Sequence, residues 1–227
     1  MKYLTYTNYG CIDLCKNMIQ SLIQNGGVSQ EDIFVHCFDD KSLESLKHLP
    51  GAYMWKRISS DLEEYKNWSF DPGSEFCSIV SWKWKIIREF YQRNKEFIFC
   101  DSDIFFIKNP EEDLKSYSKN ICIQCDHPGS TYCTGFIYLN ESPETSSVIN
   151  HCANNHMDDQ IVLNNLVNSN QTLRDKIQLL EINKYANGHH YYKQGFDRSG
   201  CIMVHNNHMV GKETKVNRFK DEKKWLI

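Results

Sequence analysis

Short apolar runs alternate with amphipathic stretches along most of the chain. The opening "KYLTYT" alternates apolar and polar side chains and predicts a strand. In "CIDLCKNMIQSLIQNG" the residues Ile12, Cys15, Met18, Ile19 and Leu22 recur at helical spacing, with Gly26 as the stop. "DIFVHCF" predicts a second strand, and "DDKSLESLKHL" a helix capped by Asp39 or Asp40. "AYMWKRI" predicts a third strand. "DLEEYKNWSFDPGSEF" is polar around an Asp71-Pro72-Gly73 turn and reads as a loop. "SIVSWKWKIIREFYQRN" is a strongly amphipathic helix, and "EFIFCD" a strand buried on both faces.

The second half continues with strands in "NICIQCDH" and "TGFIYLN", then helices in "SPETSSVINHCANNH" and "MDDQIVLNNLVNSN". "KIQLLEINKYANG" and "SGCIMVHNN" predict further strands before a polar, lysine-rich tail. Strands alternating with helices imply an α/β architecture, a largely parallel sheet with helices on both faces. No repeat, low-complexity tract or linker interrupts it. The expectation is one domain over 1–227, with a nucleotide half at 1–105 and a substrate half at 106–227. The lysine-rich tail, nearly without apolar residues, is expected to order only around a ligand.

Composition narrows the classes. The 227 residues are 41% hydrophobic and 24% charged, ordinary for a globular protein. A net charge of −3 gives no basic surface for nucleic acid. No stretch approaches a membrane span, and the polar start "MKYLTYTNYG" lacks a signal-peptide apolar region. Ten cysteines would suit a disulfide framework, but Cys37, Cys100 and Cys201 lie in or beside apolar runs. Free cysteine behaves there as a small hydrophobe, so a reducing cytoplasm is the expected location. Cys122 and Cys125 form a lone CxxC inside a predicted strand and read as structural.

The exception to ordinary burial is "FIFCDSDIFF", residues 97–106. Asp101 and Asp103 end an apolar strand, where an unpaired carboxylate costs several kcal/mol. If the strand ends at Cys100 and the chain turns, both carboxylates can face one site. They either cap the next element or hold a hard cation, Mn²⁺ or Mg²⁺, which takes phosphate oxygens as further ligands. In parallel sheets ligands gather at this carboxyl end.

The stretch "WKWKIIREFYQRNKEFIFCDSDIFF" resembles the nucleotide-sugar-dependent glycosyltransferases of the GT-A fold, in which a Trp-Lys helix precedes an apolar strand ending in a DxD motif. Three more elements come after it in that family's order: "CDHPGSTYCTGFIYLN", "MDDQIVLNNLV" and "VHNNHMVGKETKVNRF". The resemblance covers most of residues 82–219 and is nearest to small enzymes of plant cell-wall and large-virus type, glycogenin-like enzymes being more distant. It extends the cytoplasmic expectation to a virus-encoded enzyme in a host cell. Cys133-Thr134-Gly135 stands where many members have Asn-x-Gly.

The resemblance implies a UDP-sugar donor, a glycan or glycoconjugate acceptor and a metal site. Asp103 would bind Mn²⁺ directly, Asp101 would hold the ribose or reach the metal through water, and His205 would complete the metal site as a neutral imidazole. Lys212 or Lys215 would meet the diphosphate once Gly211 lets the backbone approach. Lys85, one helix before the DxD strand, would face the nucleotide or else solvent. Thr5, Tyr6 and Thr7 would receive base and ribose, and Ser102 and Gly135 would border the donor. Asp126, Gln160 and Asp159 would bind the donor sugar, and Asp158 would be the base, or Asp158 and Asp159 would simply cap a helix. "NGHHYY" from Asn187 to Tyr192 could line an acceptor groove or form an exposed hairpin. Two other readings remain: a nucleotide-sugar-binding module without catalysis, and a metal-dependent phosphohydrolase or nucleotidyltransferase. The first would tend to lose its metal ligands. The second would want more carboxylates or a Gly-rich phosphate loop.

Overall fold

The computed structural model describes residues 1–58, 79–127, 131–155 and 157–227. The loop expected over "DLEEYKNWSFDPGSEF" lies outside them. Ten strands are described: β1 Lys2–Thr7, β2 Ile33–Cys37, β3 Gly51–Met54, β4 Phe97–Cys100, β5 Ile104–Phe106, β6 Ile121–His127, β7 Thr131–Leu139, β8 Ile177–Leu179, β9 Tyr185–Asn187 and β10 Met203–His205. The helices are α1 Ile12–Gln24, α2 Asp40–Ser45, α3 Lys83–Arg93, α4 Glu111–Ser116, α5 Pro143–Ala153, α6 Asp159–Asn168, α7 Gln171–Arg174, α8 Gly188–Tyr191 and α9 Lys212–Asp221.

Seven strands form one sheet in the order β3-β2-β1-β4-β7-β6-β8. All neighbours run parallel except β7, which is antiparallel to both β4 and β6. The fold is therefore α/β with a mostly parallel sheet, as the alternation of elements predicts. From β1 the chain builds outward through β2 and β3, then returns to place β4 on the other side of β1. That reversal is a topological switch point, and the crevice beyond the carboxyl ends of the two strands is the natural ligand site. Thr7 and Cys100 are those ends, with Asp101 next in the chain.

Local chemistry explains the helices that frame this crevice. In α1 the stripe Cys15, Met18, Ile19 and Leu22 is buried against one sheet face. The helix stops where Gly27 takes a left-handed φ of 64°, one residue beyond the expected stop at Gly26. Asp39 caps α2, its carboxylate accepting from Ser42 N at 2.7 Å. Trp84, Ile87 and Phe90 of α3 join residues of α5 and α6 in a second core on the opposite face. Each such apolar side chain contributes roughly 1.5–3 kcal/mol by leaving water.

A smaller sheet, β5-β10-β9, is set beyond the tip of β4. It pairs His205 with Ile104 on one side and with Asn187 on the other. The single strand expected over "KIQLLEINKYANG" is divided between the two sheets as β8 and β9. The tail differs more. Residues 212–221 form α9, with Phe219 fully buried and Val216 packed against the same cluster of Leu14, Phe105, Tyr191 and Val204. Two apolar residues three apart suffice to seat one helical face. Cys122 and Cys125 are both buried in β6, three residues apart along the strand.

Candidate active site

Three separate segments meet beyond Cys100. The strand ends there, and residues 101–103 turn before β5, so both carboxylates face one space. Asp101 N donates to Gly135 O of β7 at 2.7 Å, fixing the turn against the antiparallel strand. Ser102 Oγ donates to Tyr6 O at 2.9 Å, tying it to β1. Asn206 N donates to Asp103 O at 2.9 Å, which brings the end of β10 alongside. One ligand atom from each of Asp101, Asp103 and His205 then lies within 4.8 Å of the other two.

His205 is oriented by its neighbours. Gln124 Nε2 donates to the carbonyls of Tyr185 and Ala186, so its Oε1 faces the imidazole Nδ1 at 2.9 Å. An amide oxygen only accepts, so Nδ1 carries a proton and Nε2 of the neutral ring presents its lone pair to Asp103 Oδ1, 3.1 Å away. Two acceptors at that separation repel unless a proton or a cation lies between them. With a proton there, Asp103 outweighs the cost of burial and pushes His205 up to about 10. With a cation there, the donor set is two carboxylates and a neutral imidazole whose other nitrogen is held, which suits Mn²⁺ or Mg²⁺. The residues fit a divalent metal.

Two buried lysines complete the charge. Lys215 Nζ donates to Asp103 Oδ2 at 2.6 Å. Burial alone would raise the Asp103 carboxyl, but Lys215 and His205 overcome it and hold it far below its ordinary range. Lys83 Nζ is 3.1 Å from Asp101 and 2.7 Å from Asp159. Burial disfavours its charge, yet the two carboxylates raise it well above the usual lysine value. Asp101 is itself raised, first by burial, with Asp103 and Asp159 adding and Lys83 and His205 opposing. Thr134 Oγ1 donates to Asp159 at 2.5 Å, and Trp84 Nε1 donates to Asp159 O at 3.2 Å.

The group opens into a cavity of about 720 Å³. Of the residues singled out in the sequence, Tyr6, Thr7, Asp101, Ser102, Asp103, Asp126, Gly135, Asp158, Asp159, Gln160, His205 and Lys215 line it. Asp126 accepts from His208 Nε2 at 2.9 Å, Asn207 Nδ2 at 3.3 Å and Gln160 Nε2 at 3.4 Å. Register shifts in β6 on either side of Gln124 and Cys125 aim Gln124 at the histidine and Asp126 at the cavity.

Five residues sit elsewhere or act differently. Thr5 is buried within β1 and does not reach the cavity. Lys212 pairs with Asp13 at 2.6 Å outside the cavity lining, while Gly211, with φ 87°, starts α9 and directs Lys215 inward. Asp158 Oδ1 caps α6, accepting from Gln160 N at 3.0 Å and Ile161 N at 2.9 Å. Lys85 does not line the cavity; Lys83, two residues earlier, does. A signal for that was available, because Lys83 shares the stripe of Ile87 and Phe90 at four and seven residues. A lysine on a buried stripe needs an acid partner. Gln124, a lone amide between the apolar residues Ile123 and Cys125, carried the same kind of signal.

The order of strands, the switch point and the carboxylates beside it define a GT-A fold, and solved glycosyltransferases share it. The chain superposes on the galactosyltransferase LgtC with TM-score 0.59 at 10% identity, covering 90% of this chain and 86% of that one. For GlyE of Streptococcus pneumoniae TIGR4 the TM-score is 0.56 at 16% identity, with 99% of this chain and 65% of that one covered. For the bifunctional WbbM it is 0.56 at 10% identity, with 98% and 50% covered. This chain thus spans half of WbbM and about two thirds of GlyE. No curated protein matches it in sequence. The model of the nucleotide-diphospho-sugar transferase family matches residues 29–219, and the chain belongs to that family.

Proposed function

We propose that the protein moves a sugar from a UDP-sugar to a hydroxyl of a glycan or glycoconjugate, with Mn²⁺ or Mg²⁺ held by Asp101, Asp103 and His205. The observation that carries this reading is the convergence of those three side chains with Lys215 at the switch point of the sheet. When bound, the cation would neutralise charge on the departing diphosphate. Lys215 adds a fixed positive charge beside it, already oriented by Asp103, so little reorganisation is needed during reaction. Tyr6 and Thr7 at the end of β1 would receive the nucleoside. Asp126, Thr134, Asp159 and Gln160 surround the far side and would bind the donor sugar hydroxyls. Lys83 and Thr134 both donate to Asp159 and fix its carboxylate in place as an acceptor.

Asp158 is given to capping and serves here as a positioning residue rather than a base. No helix among the described residues is long and apolar enough to cross a membrane. No disulfide links the nine described cysteines, all of them buried, which supports a cytoplasmic location.

Thermal shift with UDP, GDP and TDP, each with and without Mn²⁺, tests the reading. A metal-dependent shift largest for UDP, followed by UDP release from one or two UDP-sugars, is expected. No shift with any nucleotide would overturn the transferase reading. Turnover with GDP-sugars alone would overturn only the donor.

A further inference from the structure

The pair His189-His190 does not form a sugar-stacking groove with the two tyrosines next in the chain. Tyr191 and Tyr192 turn inward beneath Arg198 and Arg218, whose guanidinium carbons lie 4.5 and 4.2 Å from the respective ring centroids. The histidines turn the other way and meet two more. His208 lies between His127 and His189, with ring centroids at 5.8 and 5.9 Å, and His190 packs edge-on against His189 at 5.0 Å. Three chain segments are joined here: the end of β6, the short helix α8 and the loop between β10 and α9.

Two features prepare these rings. The Asp126 carboxylate accepts from His208 Nε2 at 2.9 Å, and the tautomer that donates there carries its lone pair on Nδ1. A carboxylate behind a histidine is the usual outer partner of a metal-binding imidazole. His208 also holds a left-handed φ of 58°, uncommon for a residue with a side chain.

We propose that His127, His189 and His208 form a second metal site, for a borderline-soft divalent ion such as Zn²⁺, with water in the fourth position and His190 positioning His189. Two imidazoles on one tetrahedral Zn²⁺, with Zn–N near 2.0–2.1 Å, place their ring centroids roughly 5 Å apart. The separations from His208 to His127 and to His189 are within about 1 Å of that, and His127 and His189 must approach each other to complete the set. Among the described residues only Asp101, Asp103 and His205 bring three ligand atoms within 4.8 Å as they stand. The histidine site therefore closes by turning the exposed rings of His127 and His189 about their side-chain torsions. The ligand sets differ in kind: mostly carboxylate oxygen at the first, imidazole nitrogen at the second, so the second favours Zn²⁺ or Co²⁺ over Mg²⁺. An ion here would tie the His208 loop to β6 and α8 at the cavity mouth.

Titration of the full chain with Co²⁺ in excess Mg²⁺, followed by visible absorption, tests this independently of any transferase activity. The expected result is one equivalent bound with the intense spectrum of four-coordinate Co²⁺. Affinity should fall roughly 10-fold or more in His189→Ala and in His127→Ala, both exposed and free to change without unfolding. Asp126→Asn should weaken binding by about 10- to 100-fold through His208. Equal Co²⁺ binding by wild type and the His127→Ala/His189→Ala double variant would overturn the site, as would complete displacement by Mg²⁺.

Discussion

Lys215 reaches Asp103 across 112 residues of sequence and donates to it at 2.6 Å, with both side chains almost wholly out of solvent. This pair joins the helix α9 to the turn after β4 and so couples the closing segment to the site. Removing one member leaves the other buried and unpaired, which commonly costs about 3–5 kcal/mol. Lys215→Met is therefore expected to lower unfolding stability by about 3 kcal/mol in urea. Asp103→Asn/Lys215→Met should recover part of that. A double-mutant cycle giving a coupling below about 1 kcal/mol would contradict the arrangement.

Gly135 is required by His205. A methyl group there would stand 2.1 Å from His205 Cε1 and 2.7 Å from Nδ1, inside any permitted contact. The imidazole cannot retreat without losing Gln124 and Asp103. Gly135→Ala is expected to leave the sheet intact and weaken Mn²⁺ binding in the presence of UDP by roughly 100-fold. Calorimetry showing wild-type affinity would remove His205 from the metal site.

The alternation of strand and helix signals made the sheet legible from sequence, because period-2 and period-3.6 patterns report which faces are buried. The DxD site was legible for a related reason, two acids where burial should forbid them. The inward lysine of "WKWK" was legible only through helix phase, because Lys83 shares the stripe of Ile87 and Phe90 whereas Lys85 shares that of Arg88 and Glu89. The helix α9 was hidden by composition: five lysines and an arginine between 212 and 224 mask Val216 and Phe219. The antiparallel pairing of β7 with β6 follows from the three residues between them, too few for a parallel crossover, whereas its insertion beside β4 depends on where the chain crosses and could not be read.

Asp158 and Asp159 are adjacent in sequence but divide two tasks. Asp158 accepts from two backbone amides of α6, whereas Asp159 accepts from Lys83 and Thr134 inside the cavity. Asp158→Ala should cost about 1 kcal/mol of stability as a lost cap and leave turnover within a few-fold. Asp159→Asn should keep the fold and lower turnover by roughly 100-fold or more, through the donor-facing charge. Equal losses of turnover in the two variants would show that the capping aspartate also takes part in the reaction.

His36 lies in β2 between β1 and β3, and no carboxylate among the described residues pairs with it. Its Nε2 meets the Tyr53 hydroxyl and its Nδ1 has no hydrogen-bond partner. Burial pushes it down to about 3, so the folded protein keeps it neutral. The unfolded chain binds a proton at this residue below its ordinary value of about 6.5, while the native state does not until far lower pH. Protons bound by the unfolded state exceed those bound by the native state throughout that window. Stability therefore rises with pH there and is lost on acidification. His36 alone should cost about 1 kcal/mol between about pH 7 and about pH 5.5, a range in which most carboxylates have not begun to titrate. His36→Phe keeps the apolar volume and removes the group. Urea melts across that range should show the wild-type slope reduced in the variant, and identical slopes would mean that His36 is charged, or solvated, in the native protein.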